Sequence, residues 1–133
     1  MPHLTFEYTA NLAADGDLQG LCDQAAAVLV AQQADGKSVY PIGGVRVRAV
    51  KLDTWTMADG QADYAFVHGS LKIGSGRSDE VKQATGNALF EVMKAHFADL
   101  YARRYLALSL EIGEFSEAGT WKHNNVHARF KKA

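Results

Sequence analysis

A chain of 133 residues is the size of one ordinary domain, long enough to bury a core without covalent staples. Hydrophobic residues make up 47% and charged residues 22%, with 12 Gly, 2 Pro and a single cysteine, Cys22, which excludes a disordered chain, a collagen-like repeat and a disulfide scaffold. Fourteen Lys and Arg against fifteen Asp and Glu leave a net charge of −1, without the basic excess of a nucleic-acid binder. No apolar run approaches the roughly 20 residues of a membrane span, and the start lacks a basic-then-apolar signal pattern. With one cysteine, this points to the cytoplasm as the expected location.

In chain order, Leu4, Phe6 and Tyr8 alternate with His3, Thr5 and Glu7, a strand pattern. Over residues 15–33, Leu18, Leu21, Cys22, Ala25, Val28 and Leu29 form one stripe of an amphipathic helix, with Asp15 and Asp17 at its start and Asp35-Gly36 as its stop. Val45, Val47 and Ala49 alternate with Arg46, Arg48 and Val50 in a second strand running toward Trp55, and Asp59-Gly60 marks a turn. Ala65, Val67 and Leu71 oppose Tyr64, Phe66 and His68 in a third strand. Ser78 caps a second helix over residues 78–101, whose stripe is Val81, Ala84, Ala88, Leu89, Val92, Met93, Phe97 and Leu100. Leu106, Leu108, Leu110 and Ile112 define the last strand.

The order is strand, helix, strand, twice over. The predicted fold is α/β (α+β by some schemes): tandem β-α-β units in a four-stranded sheet with two helices on one face. It forms a single domain over 1–133, with pseudo-repeats near 2–56 and 62–114 and a packing tail over 115–133. A helical crossover makes the strands parallel within each unit. The uncovered sheet face needs a partner, and half-apolar strands there would be explained by oligomerisation. The tail is basic (Lys122, Arg129, Lys131 and Lys132) and carries aromatics, so it is expected to pack on something, such as a neighbouring subunit.

Candidate chemistry sits in four places. Pro2 precedes a strand; freed of Met1 it is a rigid secondary amine and a potential base, although proline also simply opens edge strands. Gly74-Ser75-Gly76-Arg77-Ser78 joins strand to helix, where backbone N–H groups and a guanidinium attract anions, yet a plain loop and cap read the same way. Arg46 and Arg48 share a strand face after Pro41-Ile42-Gly43-Gly44, either as a solvated charged face or delivered into a cleft. His123 and His127 have i, i+4 spacing but no intervening glutamate, and His3, His68 and His96 lack ligand partners, so no metal is expected. His68 reads as a hydrogen-bonded core or interface residue and Cys22 as packing.

Together these stretches resemble one family. The start Met-Pro-His, the Gly-Gly-Val-Arg-Val-Arg segment, the run DTWTMADGQADYAFVHGSLKIGSGRS over 53–78 and the closing Lys-His-Asn-Asn-Val-His over 122–127 are similar to the 5-carboxymethyl-2-hydroxymuconate isomerases. The resemblance covers essentially the whole chain. It implies a tautomerase-like fold, a homotrimer, no cofactor and no metal. It further implies a dienol substrate with three carboxylates from homoprotocatechuate breakdown. Pro2 matches the family's base and Arg46 and Arg77 its substrate-binding arginines; for Arg48 and His68 it assigns no role. The partner of the third carboxylate is left open, another subunit being one source. Two other functions stay open from sequence: a related tautomerase acting on another unsaturated acid, and a non-catalytic trimeric module that binds anions.

Overall fold

The computed structural model describes residues 1–131; Lys132, counted above with the basic tail, lies outside them. Strand β1 (His3–Thr9) buries Leu4 and Phe6, as its alternation requires. Helix α1 (Leu18–Ala31) is shorter than predicted at both ends. Asp17 is its cap, in the left-handed region at φ 44°, with its carboxylate accepting from Gly20 N at 3.1 Å. Past α1, residues read as a helix stop form a small hairpin, β2 (Gln33–Ala34) and β3 (Lys37–Ser38). Asp35 and Gly36 have φ 53° and 75°, the two positive values that a two-residue hairpin turn needs. Strand β4 (Arg46–Leu52) stops short of Trp55, and β5 (Tyr64–Gly74) follows.

The second long helix is divided. Helix α2 (Asp79–His96) begins at Ser78, whose hydroxyl accepts from Val81 N at 3.2 Å. It gives way at Phe97 to α3 (Ala98–Arg103). The apolar stripe continues through the break because Phe97 is fully buried, while the His96 ring stacks edge-on against it at 4.8 Å and bonds Gly16 O at 2.8 Å. Strand β6 (Tyr105–Phe115) completes the sheet.

The strand order is β4-β1-β5-β6. Pairs β4/β1 and β5/β6 are parallel, as the helical crossovers predict, and β1 and β5 join the two units antiparallel down the middle. β1 is therefore central, which removes the reading of Pro2 as the opener of an edge strand. Leu4, Phe6, Ala65, Val67, Leu71 and Ile73 point under the helices and form one core with Leu21, Leu29, Leu89, Met93 and Phe97.

The other face is more polar than expected. His3, Thr5 and Glu7 align with Arg46, Arg48 and Val50 on one side and with Lys72, Ser70 and His68 on the other. Ser109 and Glu111 continue the row on β6. Basic residues gather toward the β4 edge and Glu111 stands at the β6 edge. The tail does not reach away from the chain. Its 3-10 turn Val126–Phe130 packs on the 3-10 turn Ile42–Gly44 of the same chain.

Candidate active site

Three segments meet at the start of β1. The first is the turn before β4. Arg46 N donates to Pro2 O at 3.1 Å, which anchors the chain start to β4, and Arg46 Nη1 donates to Gly44 O at 2.9 Å and to Met1 Sδ at 3.3 Å. The second is the loop after β5, where Arg77 Nη1 donates to Gly74 O and Nη2 to Val39 O, both at 3.1 Å. The guanidinium also lies 4.8 Å above the Tyr40 ring. Tyr40 is fully buried, and its hydroxyl donates to Thr85 Oγ1 at 2.8 Å, Thr85 in turn donating to Val81 O. Tyr40 thus holds Arg77 against the first unit. Sequence reasoning passed it over, although it immediately precedes the Pro41–Gly44 turn.

The third segment is the tail. Asn124 Nδ2 donates to Gly43 O at 3.0 Å. A Cβ at Gly43 would fall 2.6 Å from His127 Nδ1 and 2.9 Å from its backbone nitrogen, so only glycine lets the tail approach this closely. Lys122 and Glu117 face each other at 3.7 Å on the same stretch.

The electrostatics follow from this convergence. Pro2 is buried. The ammonium group of Met1 is held below its ordinary value by burial first, then by the charges of Lys122 and Arg77; Glu117 opposes this and Arg46 adds to it. Arg46 and Arg77 are bonded to carbonyls and sulfur, and among the described residues no carboxylate lies within ion-pair distance of either. A pair of guanidinium groups partly withdrawn from water and without a counter-ion is a site for an anionic ligand. An amine between them is biased toward its neutral, basic form.

The helix terminus contributes less than the sequence allows. Ser78 already occupies the Val81 amide, and Asp79 and Glu80 stand in the first turn of α2. Anion recognition there rests on the Arg77 side chain. Of the other residues singled out, Arg48 turns to His3, with Nη1 and Nδ1 3.3 Å apart, and His3 is held below its ordinary value by burial and then by Arg48 and Arg46. His68 lies outside the cluster, bonded to Ser109 Oγ at 2.6 Å and to Glu111 Oε1 at 3.1 Å. Cys22 is buried on α1, away from it, and burial raises its thiol pKa.

Paired β-α-β units sharing one four-stranded sheet define a tautomerase-like α/β fold. The sequence profile described as "5-carboxymethyl-2-hydroxymuconate isomerase" matches residues 2–130, and the chain belongs to that family. The 5-carboxymethyl-2-hydroxymuconate Delta-isomerase of Escherichia coli is 47% identical over 131 residues, which cover 98% of this chain and 100% of that protein. The crystal structure of a 5-carboxymethyl-2-hydroxymuconate isomerase from Deinococcus radiodurans R1 is 50% identical, with a TM-score of 0.91 over 98% of this chain and 95% of that one. A further crystal structure, of a 5-carboxymethyl-2-hydroxymuconate delta-isomerase, is 32% identical with a TM-score of 0.93, covering 100% of this chain and 95% of that one.

Proposed function

We propose that this protein is an isomerase that converts the dienol 5-carboxymethyl-2-hydroxymuconate to its conjugated 2-oxo isomer, with Pro2 as the general base and Arg46 and Arg77 as carboxylate ligands. The observation that carries the reading is the pair of guanidinium groups flanking a buried chain start with no carboxylate of the described residues against either, in a chain of this family.

In the peptide bond to Met1 the Pro2 nitrogen is an amide without basicity, so the base is the chain trimmed of Met1. Neutral Pro2 nitrogen takes the proton of the 2-hydroxyl group. The electron pair moves along the diene, and the prolinium returns the proton to C5, leaving a double bond between C3 and C4 conjugated with the new 2-oxo group. One proton leaves and one arrives, so the step needs no redox partner. Arg46 and Arg77 orient the spine and stabilise the charge that develops on oxygen.

The active form is a homotrimer. The open sheet face carries Arg46 and Arg48 near its β4 edge and Glu111 on β6, charges suited to head-to-tail packing around a closed ring. Strand β6 has an unpaired edge beside half-buried Leu108, Leu110 and Ile112, and Tyr101 and Tyr105 stand exposed next to it. Among the described residues no helix is long and apolar enough to cross a membrane.

The test is enol ketonisation of the dienol by trimmed protein, with sedimentation at micromolar concentration beside it. Rapid conversion that is lost in Pro2→Ala supports the reading. Conversion untouched by Pro2→Ala removes the base, and a monomer in sedimentation removes the trimer.

A further inference from the structure

The substrate class proposed above has three carboxylates: two end the muconate spine and the third is the carboxymethyl arm. Arg46 and Arg77 account for two. We infer that Lys122 binds the third, the carboxymethyl carboxylate, and so sets the preference for a tricarboxylate over a dicarboxylate. This inference rests on the proposed function and deepens it.

The placement of Lys122 is what carries it. Its segment is tied down on both sides. Before it, Phe115 O accepts from Ser75 N at 3.1 Å, which fastens the end of β6 to the loop of Arg77. After it, Asn124 and His127 close on Gly43, in the turn that precedes Arg46. The segment carrying Lys122 therefore runs from the Arg77 loop to the Arg46 turn, the two segments that flank the chain start. With Arg77 and Arg46, Lys122 helps hold the Met1 ammonium group below its ordinary pKa, after burial. Three cations thus flank the chain start, from β4, from the loop after β5 and from the tail.

Its only carboxylate neighbour among the described residues is Glu117, at 3.7 Å. That is well beyond the 2.7–2.9 Å or so of a charge-assisted hydrogen bond, and both side chains are substantially exposed. Glu117 reaches back toward Arg77. A point 3.5 Å from Glu117 Oε1, at the position of a Cβ on Gly74, is also 3.8 Å from Arg77 Nη1. A substrate carboxylate meets Lys122 in competition with Glu117, which occupies the approach without closing a hydrogen bond. A flexible four-carbon stem with a compact charge suits a mobile arm, whereas the planar forks of Arg46 and Arg77 suit the fixed ends of a conjugated spine.

The experiment compares kinetics on two dienols, 5-carboxymethyl-2-hydroxymuconate and 2-hydroxymuconate, which lacks the arm. Measurements are made on the pH plateau, so that removing one cation beside the amine does not enter. For Lys122→Met the KM for the tricarboxylate rises on the order of 10–100-fold, the worth of one charge-assisted contact, while the KM for the dicarboxylate stays within about twofold. Lys122→Arg restores most of the loss. Glu117→Gln moves the other way and lowers the KM for the tricarboxylate, because it removes the competing anion. Equal losses on both dienols for Lys122→Met, or no loss on either, overturn the inference. So does a Glu117→Gln variant that behaves like Lys122→Met, which would make the pair a structural tie. Wild-type protein that converts neither dienol refutes the underlying isomerase reading and takes the inference with it; in every other case the two are judged separately.

Discussion

The two ends of the sheet are built on one plan and finished differently. At one end the starts of β1 and β4 meet the end of β5, and at the other the starts of β5 and β6 meet the end of β1. Each carries arginine beside a strand start. At the far end Arg104 is paired with Asp15 at 3.3 Å and Asp63 at 3.5 Å, and also donates to Asn11 O at 3.2 Å. At the near end, among the described residues, Arg46 and Arg77 meet carbonyls, a sulfur and the Tyr40 ring but no carboxylate, and Lys122 sits loosely against Glu117. The far end is a closed charge network that belongs to the fold, while the near end holds cations in place and leaves their charge to a ligand. The residue preceding β1 is Pro2, one bond from the chain terminus, whereas the residue preceding β5 is Asp63, in mid-chain. Only at the near end does the proposed function place an amine.

The sharpest way to break this comparison is to block that amine. A trimming-resistant residue ahead of Pro2 keeps the nitrogen an amide, and turnover is expected to fall on the order of 10²–10⁴-fold with the thermal midpoint unchanged. Activity that survives the block would make the two ends equivalent after all.

The arginines come next. Arg77 is held by two carbonyls and the Tyr40 ring, so it is the rigid anchor, and Arg77→Ala is expected mainly to raise KM. Arg46 has one firm carbonyl bond and freer reach, and Arg46→Ala is expected mainly to lower kcat. Each loss is about 2–4 kcal/mol in kcat/KM. Steady-state kinetics read the split, and equal effects on both parameters at both positions would erase the distinction.

A smaller effect is the position of the acid limb of kcat/KM. The base works as the neutral amine, so activity falls as pH drops through its pKa. Burial and the neighbouring cations favour the neutral form, as they do for the Met1 ammonium group, which places the limb below that of an ordinary proline amine. Arg77→Ala removes one of those cations and moves the limb to higher pH. Arg104→Ala leaves it where it is, and a shift there would mean that the far end also acts on the base.

Smallest is the cost of opening the far network. Its carboxylates are well exposed and screened by solvent, so Arg104→Ala is expected to lower stability by only about 1 kcal/mol, with kcat unchanged. Denaturant unfolding and kinetics on the same sample decide this.

What the sequence determined by itself was the set of local elements and the identity of the cluster's first members. Strand alternation at Leu4 and Phe6, the stripe of α1, the Ser78 cap and the parallel pairing within each unit all follow from side-chain period and crossover geometry, which act within a few residues of one another. Resemblance in the Met-Pro-His start, the Gly-Gly-Val-Arg-Val-Arg segment and the run over 53–78 pointed to Pro2, Arg46 and Arg77. Tertiary structure decided the rest, because it depends on which segments become neighbours. The antiparallel seam between β1 and β5 made Pro2 the start of a central strand. The return of the tail onto Gly43 tied the segment of Lys122 to the turn before Arg46, where the sequence allowed a neighbouring subunit instead. Whether an arginine is neutralised is equally non-local: Arg104 finds Asp15 from 89 positions away, while Arg46 and Arg77 find no acid among the described residues within reach, and no pattern along the chain distinguishes the two cases.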